Sequence, residues 1–329
     1  MKYVIRRIGF YLLAVWIAVT IGFFLPRLAP GNQADSFIGR LEANGPLAPS
    51  AKQAIEVALG VDTKDNLFVQ YIHFLQNLLH GNFGVSYSNY PQPVMQVISE
   101  SIFWTIGLLT VSIVISYILG TLIGIFSAWK RGTAFDSIAP VATSFLASIP
   151  YFWMAFILVY FLGAKLHWFP YYGGYNTNFD TGTYAYYLSI LSHAILPALT
   201  LVISTLAGWL LTMRNTMVTT LSEDYVQLAR AKGLTNRRIM LMYAARNAIL
   251  PSISGLALSM GFIVGGQIVV ELVFSYPGIG YTLLQAINAN DYPLLQAIFL
   301  IITLAVLGAN FLAEIAYMLL DPRIRQERN

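Results

Sequence analysis

The sequence predicts an all-α polytopic membrane protein with six transmembrane helices, and three observations carry that reading. Of 329 residues, 57% are hydrophobic and only 10% are charged, with a mean hydropathy of +0.63; a soluble domain would be about 25% charged. Charge-free runs alternate with polar loops at 8–25, 102–129, 137–162, 188–213, 250–270 and 293–313, each long enough for a hydrocarbon core of about 30 Å. No stretch alternates apolar and polar residues as a half-buried strand would.

The first run follows a basic start of Lys2, Arg6 and Arg7. A cleaved signal peptide is the alternative, but the run from Ile8 to Leu25 exceeds the roughly 7 to 15 residues of a signal core, and Ala29 precedes Pro30, an unfavourable cleavage position. It is read as the first span. Residues 31–100 hold six of the 15 acidic residues and one amphipathic stretch with Leu67, Phe68, Tyr71, Ile72, Leu75, Leu78 and Leu79 at helical spacing. This stretch either packs on the protein or membrane surface, or offers a docking face to a partner. Residues 1–100 are therefore a first helix plus an extracytoplasmic region, and residues 101–329 a five-helix core containing a polar loop at 214–249.

Pro140, Pro150 and Pro197 fall within or beside the spans, where neighbouring helices can re-satisfy freed carbonyls. In the fifth span, Gly255, Ser259, Gly261, Gly265 and Gly266, with Gln267, allow close helix contact or a polar pore face. Orientation comes from the 19 Lys and Arg residues. Those at 2, 6, 7, 130, 131, 214, 230, 232, 237, 238, 246, 323, 325 and 328 lie on one side; only Arg27, Arg40, Lys52, Lys64 and Lys165 lie on the other. Positive charge marks the cytoplasmic side, which therefore receives both termini and the polar loop.

That loop, from Glu223 to Pro251, reads as two short helices meeting at a glycine. Asp224 can cap the first, which places Tyr225, Leu228, Ala229 and Lys232 on one stripe. Gly233 can end it in the left-handed conformation, and Thr235 can cap the second. Arg237 and Arg238 then stand in a first turn where cations oppose the macrodipole, so helix stability does not explain them.

Several function classes are excluded. There is no cysteine, which removes disulfides, thiolate metal sites and thiol catalysis. No Lys follows a glycine, so there is no phosphate-binding Gly-Lys-Ser/Thr loop. His73, His80, His167 and His193 lack metal-ligand spacing, and no catalytic constellation lies in the spans. No nucleic-acid partner is expected.

The motif Tyr225-x-x-x-Ala229-Arg230-Ala231-Lys232-Gly233-Leu234, followed by Arg246-Asn247-Ala248 and Leu250-Pro251, resembles the cytoplasmic loop of permease subunits in binding-protein-dependent ABC importers, closest to their oligopeptide, dipeptide and nickel branch. Gln227 and Leu228 replace the broad pattern's Glu-Ala, as in the peptide branch. Gly84-Val85-Ser86 and Pro93-Val94, 149–153, 168–170, 274–280, 290–293 and 321–323 extend the resemblance end to end, with Asn82 in place of the usual Asp and Asn290 in place of Arg. The resemblance implies the type I ABC importer permease fold with a cytoplasmic coupling helix, in the plasma membrane of a prokaryote. It implies a second homologous permease subunit, two cytoplasmic ATPase subunits that carry ATP and Mg, and an extracytoplasmic substrate-binding protein. It assigns ATPase coupling to Tyr225, Leu228, Ala229, Arg230, Ala231, Lys232 and Gly233, and peptides as substrate, with oligosaccharides or nickel chelates as alternatives.

An ion-coupled secondary transporter also fits six spans, but such proteins bury ionisable coupling groups, and these spans hold almost none. Glu271 and Glu314 sit near span ends. Ser259, Gln267 and Glu271 are the pore-lining candidates; Glu271 also fits a structural pairing near the outer surface.

Overall fold

The computed structural model describes residues 2–28, 38–39, 42, 45–50, 52, 66–261 and 268–320. Among these the regular secondary structure is helical, apart from one isolated bridge between Val85 and Pro93. The helices are α1 (Lys2–Leu28), α2 (Leu67–Leu79), α3 (Val94–Trp129), α4 (Ala134–Ser148), α5 (Tyr151–Lys165), α6 (Tyr184–Thr220), α7 (Asp224–Ala231), α8 (236–248), α9 (Leu250–Gly261), α10 (Ile268–Val273), α11 (Ile279–Asn288) and α12 (Tyr292–Leu320). Segments Val159–Lys165 in α5 and Ile239–Ala245 in α8 are wound as π-helix.

Three helices, Val94–Trp129, Tyr184–Thr220 and Tyr292–Phe311, are long and apolar enough to cross a membrane, and α4 with α5 makes a fourth if that pair is one span. The apolar parts of α1 and α9 are shorter. Length and composition thus support three or four of the six expected spans. The run at 137–162, expected as one helix, is broken: α4 and α5 meet at 94°. Pro150 stands at the break: its ring disfavours helical geometry for the preceding Ile149, which is extended (φ −72°, ψ 122°), and it supplies no amide to continue the ladder. Pro140 and Pro197, by contrast, lie inside intact helices. α6 begins at a Thr183 cap, whose hydroxyl accepts from the Tyr186 amide at 3.2 Å, and runs beyond the apolar stretch to Thr220.

The chain divides into two compact units. In the first, 1–104 with 278–308, α2 lies on α1. The rings of Tyr71 and Phe74 stand 5.1 and 5.3 Å from that of Phe23, and the Thr20 and Tyr71 hydroxyls share a 2.7 Å hydrogen bond. The opposite side of α2 leaves Leu67, Phe68 and Leu79 exposed. The buried Asp291 side chain gathers the segment before α3: it accepts from Ser86 Oγ at 2.5 Å, and from Ser88 N and Ser88 Oγ at 2.8 Å each. Its other oxygen accepts the Leu294 amide at 3.2 Å, capping α12.

The second unit, 105–277 with 309–329, is built around α3 and α6. Their backbones touch because Gly120 and Gly124 have no Cβ. One added at Gly120 would sit 2.6 Å from Trp209 Cβ, and at Gly124 2.6 Å from the Leu210 carbonyl. Small residues four apart allow such approach between apolar helices. Thr205 Oγ1 donates to Ser116 Oγ at 2.8 Å across the same seam. A Cβ added at Gly255 of α9 would stand 3.3 Å from the Trp209 ring, so at this position the fifth run's small residues serve close contact.

Candidate functional site

The polar loop folds as expected in outline. α7 opens at Glu223, and Asp224 occupies its first turn, where a carboxylate complements the macrodipole. Neither side chain makes a capping hydrogen bond, so the expected Asp224 cap is corrected. Gly233 ends the helix at φ +70°, in the left-handed region. The Leu234 amide donates to the Ala229 carbonyl at 3.3 Å and the Gly233 amide to that of Arg230 at 2.9 Å; this crossed pair is the Schellman arrangement, completed by Leu234 packing near Ala229. Thr235 stands at the start of α8 in an extended conformation, without a side-chain cap bond.

Two small cores hold this helix pair. Val226, Ala229 and Ile239 are buried together, covered by Trp129, Leu221, Leu234 and Tyr243. Met240, Ala244, Ala245 and Ala248 of α8 join Ile125 and Ala128 of α3 and Met213 and Met217 of α6, and Trp129 and Leu221 cover this cluster as well. The π-helical turn places Ile239 and Met240, then Ala244 and Ala245, on the buried side. The Tyr225 hydroxyl accepts from Asn247 Nδ2 at 3.0 Å, tying α7 to the far end of α8.

The predicted stripe therefore divides. Ala229, only 2% exposed, turns inward with Val226, while Leu228 is 55% exposed and Tyr225, Arg230, Ala231 and Lys232 lie on the outward face. Arg237, Arg238, Leu241 and Met242 continue that face, so the surface is apolar and cationic together. Gly233 itself is exposed at the turn.

The pore-lining candidates are not brought together. Ser259 Oγ donates to the Gly255 carbonyl of its own helix at 2.9 Å, and Gln267 lies outside the described residues. Glu271 is fully buried and accepts from Thr105 Oγ1 at 2.7 Å, linking α10 to α3. Burial pushes the nearby Tyr276 phenol up to about 12, and the Glu271 carboxylate adds to the shift. Among the described residues no three His, Asp or Glu side chains gather as a metal site.

Sequence reasoning missed one cluster. Asp136, at the start of α4, accepts from Arg214 Nε at 2.6 Å and Ser127 Oγ at 2.8 Å through one oxygen, and from the Gly132 amide at 3.2 Å through the other. Arg214 was visible only as a topological charge. A lone aspartate opening a span-length run beside a cation closing another is the signal, but their pairing is tertiary.

Residues 120–326, which include the helix pair, match the family described as "Binding-protein-dependent transport system inner membrane component". Over 98% of this chain and 99% of the relative, the sequence is 32% identical to a probable peptide ABC transporter permease protein, y4tP, of Sinorhizobium fredii. It is 32% identical to the di/tripeptide transport system permease protein DppB of Pseudomonas aeruginosa over the whole of both chains. Identity is 31% to the oligopeptide transport system permease protein AppB of Bacillus subtilis, over 98% of each. A multi-pass helical chain, matched along its full length by transport permeases, belongs to the family of binding-protein-dependent transport system inner membrane components.

Proposed function

We propose that this chain is one of two related permease subunits that form the pore of an ATP-driven importer for peptides delivered by an extracytoplasmic binding protein. The observation that carries the reading is the α7–α8 pair. Its inner side is packed onto the ends of α3 and α6, while its outer side presents Tyr225, Leu228, Arg230 and Lys232. A face of that kind suits a partner that must push on the spans. The relatives' names supply the substrate class.

In this reading six helices cross the plasma membrane of a prokaryote, with both termini and the α7–α8 pair in the cytoplasm. Residues 1–100 are the extracytoplasmic extension, and 101–329 the core. Two ATPase subunits dock on the outward face and carry ATP and Mg; this chain binds neither. Ala229 and Gly233 hold α7 in place, while Leu228, with Tyr225, Arg230, Ala231 and Lys232, makes the contact. When the ATPases close, α7–α8 moves as a lever and the ends of α3 and α6 follow. In this reading Ser259 and Gln267 lie toward the pore, while the buried Glu271 holds α10 to α3.

The test is reconstitution with the second permease, both ATPases and the binding protein. Uptake of labelled peptide should require ATP and every subunit; ion-driven uptake by this chain alone would overturn the reading. Leu228→Asp changes an exposed residue, so it should insert normally yet fail to co-purify with the ATPases. The cysteine-free background makes orientation separable: a cysteine at Asn178 should react with an impermeant thiol reagent from outside intact cells, and one at Thr235 should not.

A further inference from the structure

We infer that Asp136 and Arg214 form a positioning clamp that makes α4 follow α6 when the α7–α8 lever moves. The inference rests on the lever reading above and adds to it residues outside the polar loop. Three elements converge on the Asp136 carboxylate: Ser127 from the end of α3, the Gly132 amide from the turn after it, and Arg214 from α6. Both partners are largely withdrawn from solvent, with side-chain exposures of 8% for Asp136 and 24% for Arg214. Arg214 Nη1 has one further contact, to Asn215 Oδ1 at 3.4 Å.

The position of the pair along the helices gives it meaning. Arg214 follows Met213 and lies one turn before Met217, and both methionines are buried against Met240, Ala244, Ala245 and Ala248 of α8. On the same stretch of α3, Ile125 and Ala128 enter that cluster while Ser127 turns to Asp136. Farther along, Gly120 and Gly124 press α3 backbone to backbone on α6. Displacement of α8 thus reaches α3 and α6 through packed side chains that cannot slide independently. α4 contributes no residue to that cluster; it packs on α6, and at this end the carboxylate fixes its position against Ser127 and Arg214.

A paired charge suits such a link better than its stability does. Burying two ions costs desolvation that their attraction only partly offsets, whereas the geometry of the bond defines where the partners sit. The same physics fixes the form of the test, because removing one partner leaves an unpaired charge.

The experiment measures peptide transported per ATP hydrolysed in the reconstituted complex for Asp136→Asn, Arg214→Gln, the neutral double Asp136→Asn/Arg214→Gln, and the swap Asp136→Arg/Arg214→Asp. Each variant that assembles is expected to hydrolyse ATP while its transport per ATP falls by about 2- to 30-fold, the range that residues along a coupling path command. The swap turns an Arg toward the Gly132 amide and the Ser127 hydroxyl, which both donate, so it should recover little; a purely structural role would instead lower hydrolysis and transport together and leave transport per ATP at the wild-type value. Should a single variant fail to accumulate, the neutral double, free of unpaired charge, decides. Wild-type transport per ATP in an assembled neutral double overturns the clamp, and failure of both singles and the double to accumulate overturns it too, by assigning the pair to folding. A wild-type complex that shows no ATP-driven uptake would instead sink the importer reading.

Discussion

Gly233 and Pro150 each end one helix and begin another, by opposite physics. At Gly233 the backbone enters the left-handed region, the last carbonyls of α7 find amides in the turn, and α8 folds back so that both helices share one small core. At Pro150 the ring disfavours helical geometry for Ile149, α4 and α5 meet at 94°, and both helices pack on α6 rather than on a core of their own. The glycine break is held by local conformation. The proline break is held by its neighbours.

Ala229→Asp tests the first half of that statement most severely, since it places a carboxylate where Val226, Ile239 and Trp129 leave no partner. We expect it to unseat α7 at a cost of about 3 kcal/mol or more, measured as rapid proteolysis at 221–250 while the spans stay inserted. Gly233→Val comes next. A β-branched residue at φ +70° costs about 1–2 kcal/mol, enough to weaken ATPase association measurably and to raise the proteolysis rate less than Ala229→Asp does.

Pro150→Ala probes the second half. If packing on α6 holds the bend, the distance between spin labels at 138 and 160 stays unchanged, and the cost is about 0.4–1 kcal/mol from a freer unfolded chain. A lengthened distance would show that the ring alone makes the angle. The smallest effect is expected for Asn178→Asp on the exposed loop before α6, within about 0.5 kcal/mol and with unaltered transport.

The two breaks also differ in how far they could be read from residues alone. Gly233 stood out because water-exposed helices announce their ends through polar spacing, and only a glycine fits the turn that such spacing requires. Pro150 was visible but its effect was not. Inside an apolar bundle a proline can be absorbed, as Pro140 and Pro197 are, and the outcome depends on neighbours that the local sequence does not name. Ala229 shows the same limit within the legible loop. Helical spacing grouped it with Leu228, yet a small residue fits either side of a helix, and the Ile239 side chain decides which. The Asp136–Arg214 and Thr105–Glu271 contacts were illegible for a simpler reason: their partners are separated by 78 and 166 residues, and single charges carry no periodicity.

Asp291 has a consequence in time. Its acceptor oxygen serves Ser86 and Ser88 across 205 and 203 residues of chain. At about 5–20 residues per second a ribosome needs about 10–40 s to cover that interval. Throughout it, the Ser86 and Ser88 hydroxyls can accept from Asn89 close by in the chain, but the acceptor they donate to does not yet exist. The polar turn before α3 is therefore completed only when the residue that opens α12 has been synthesised.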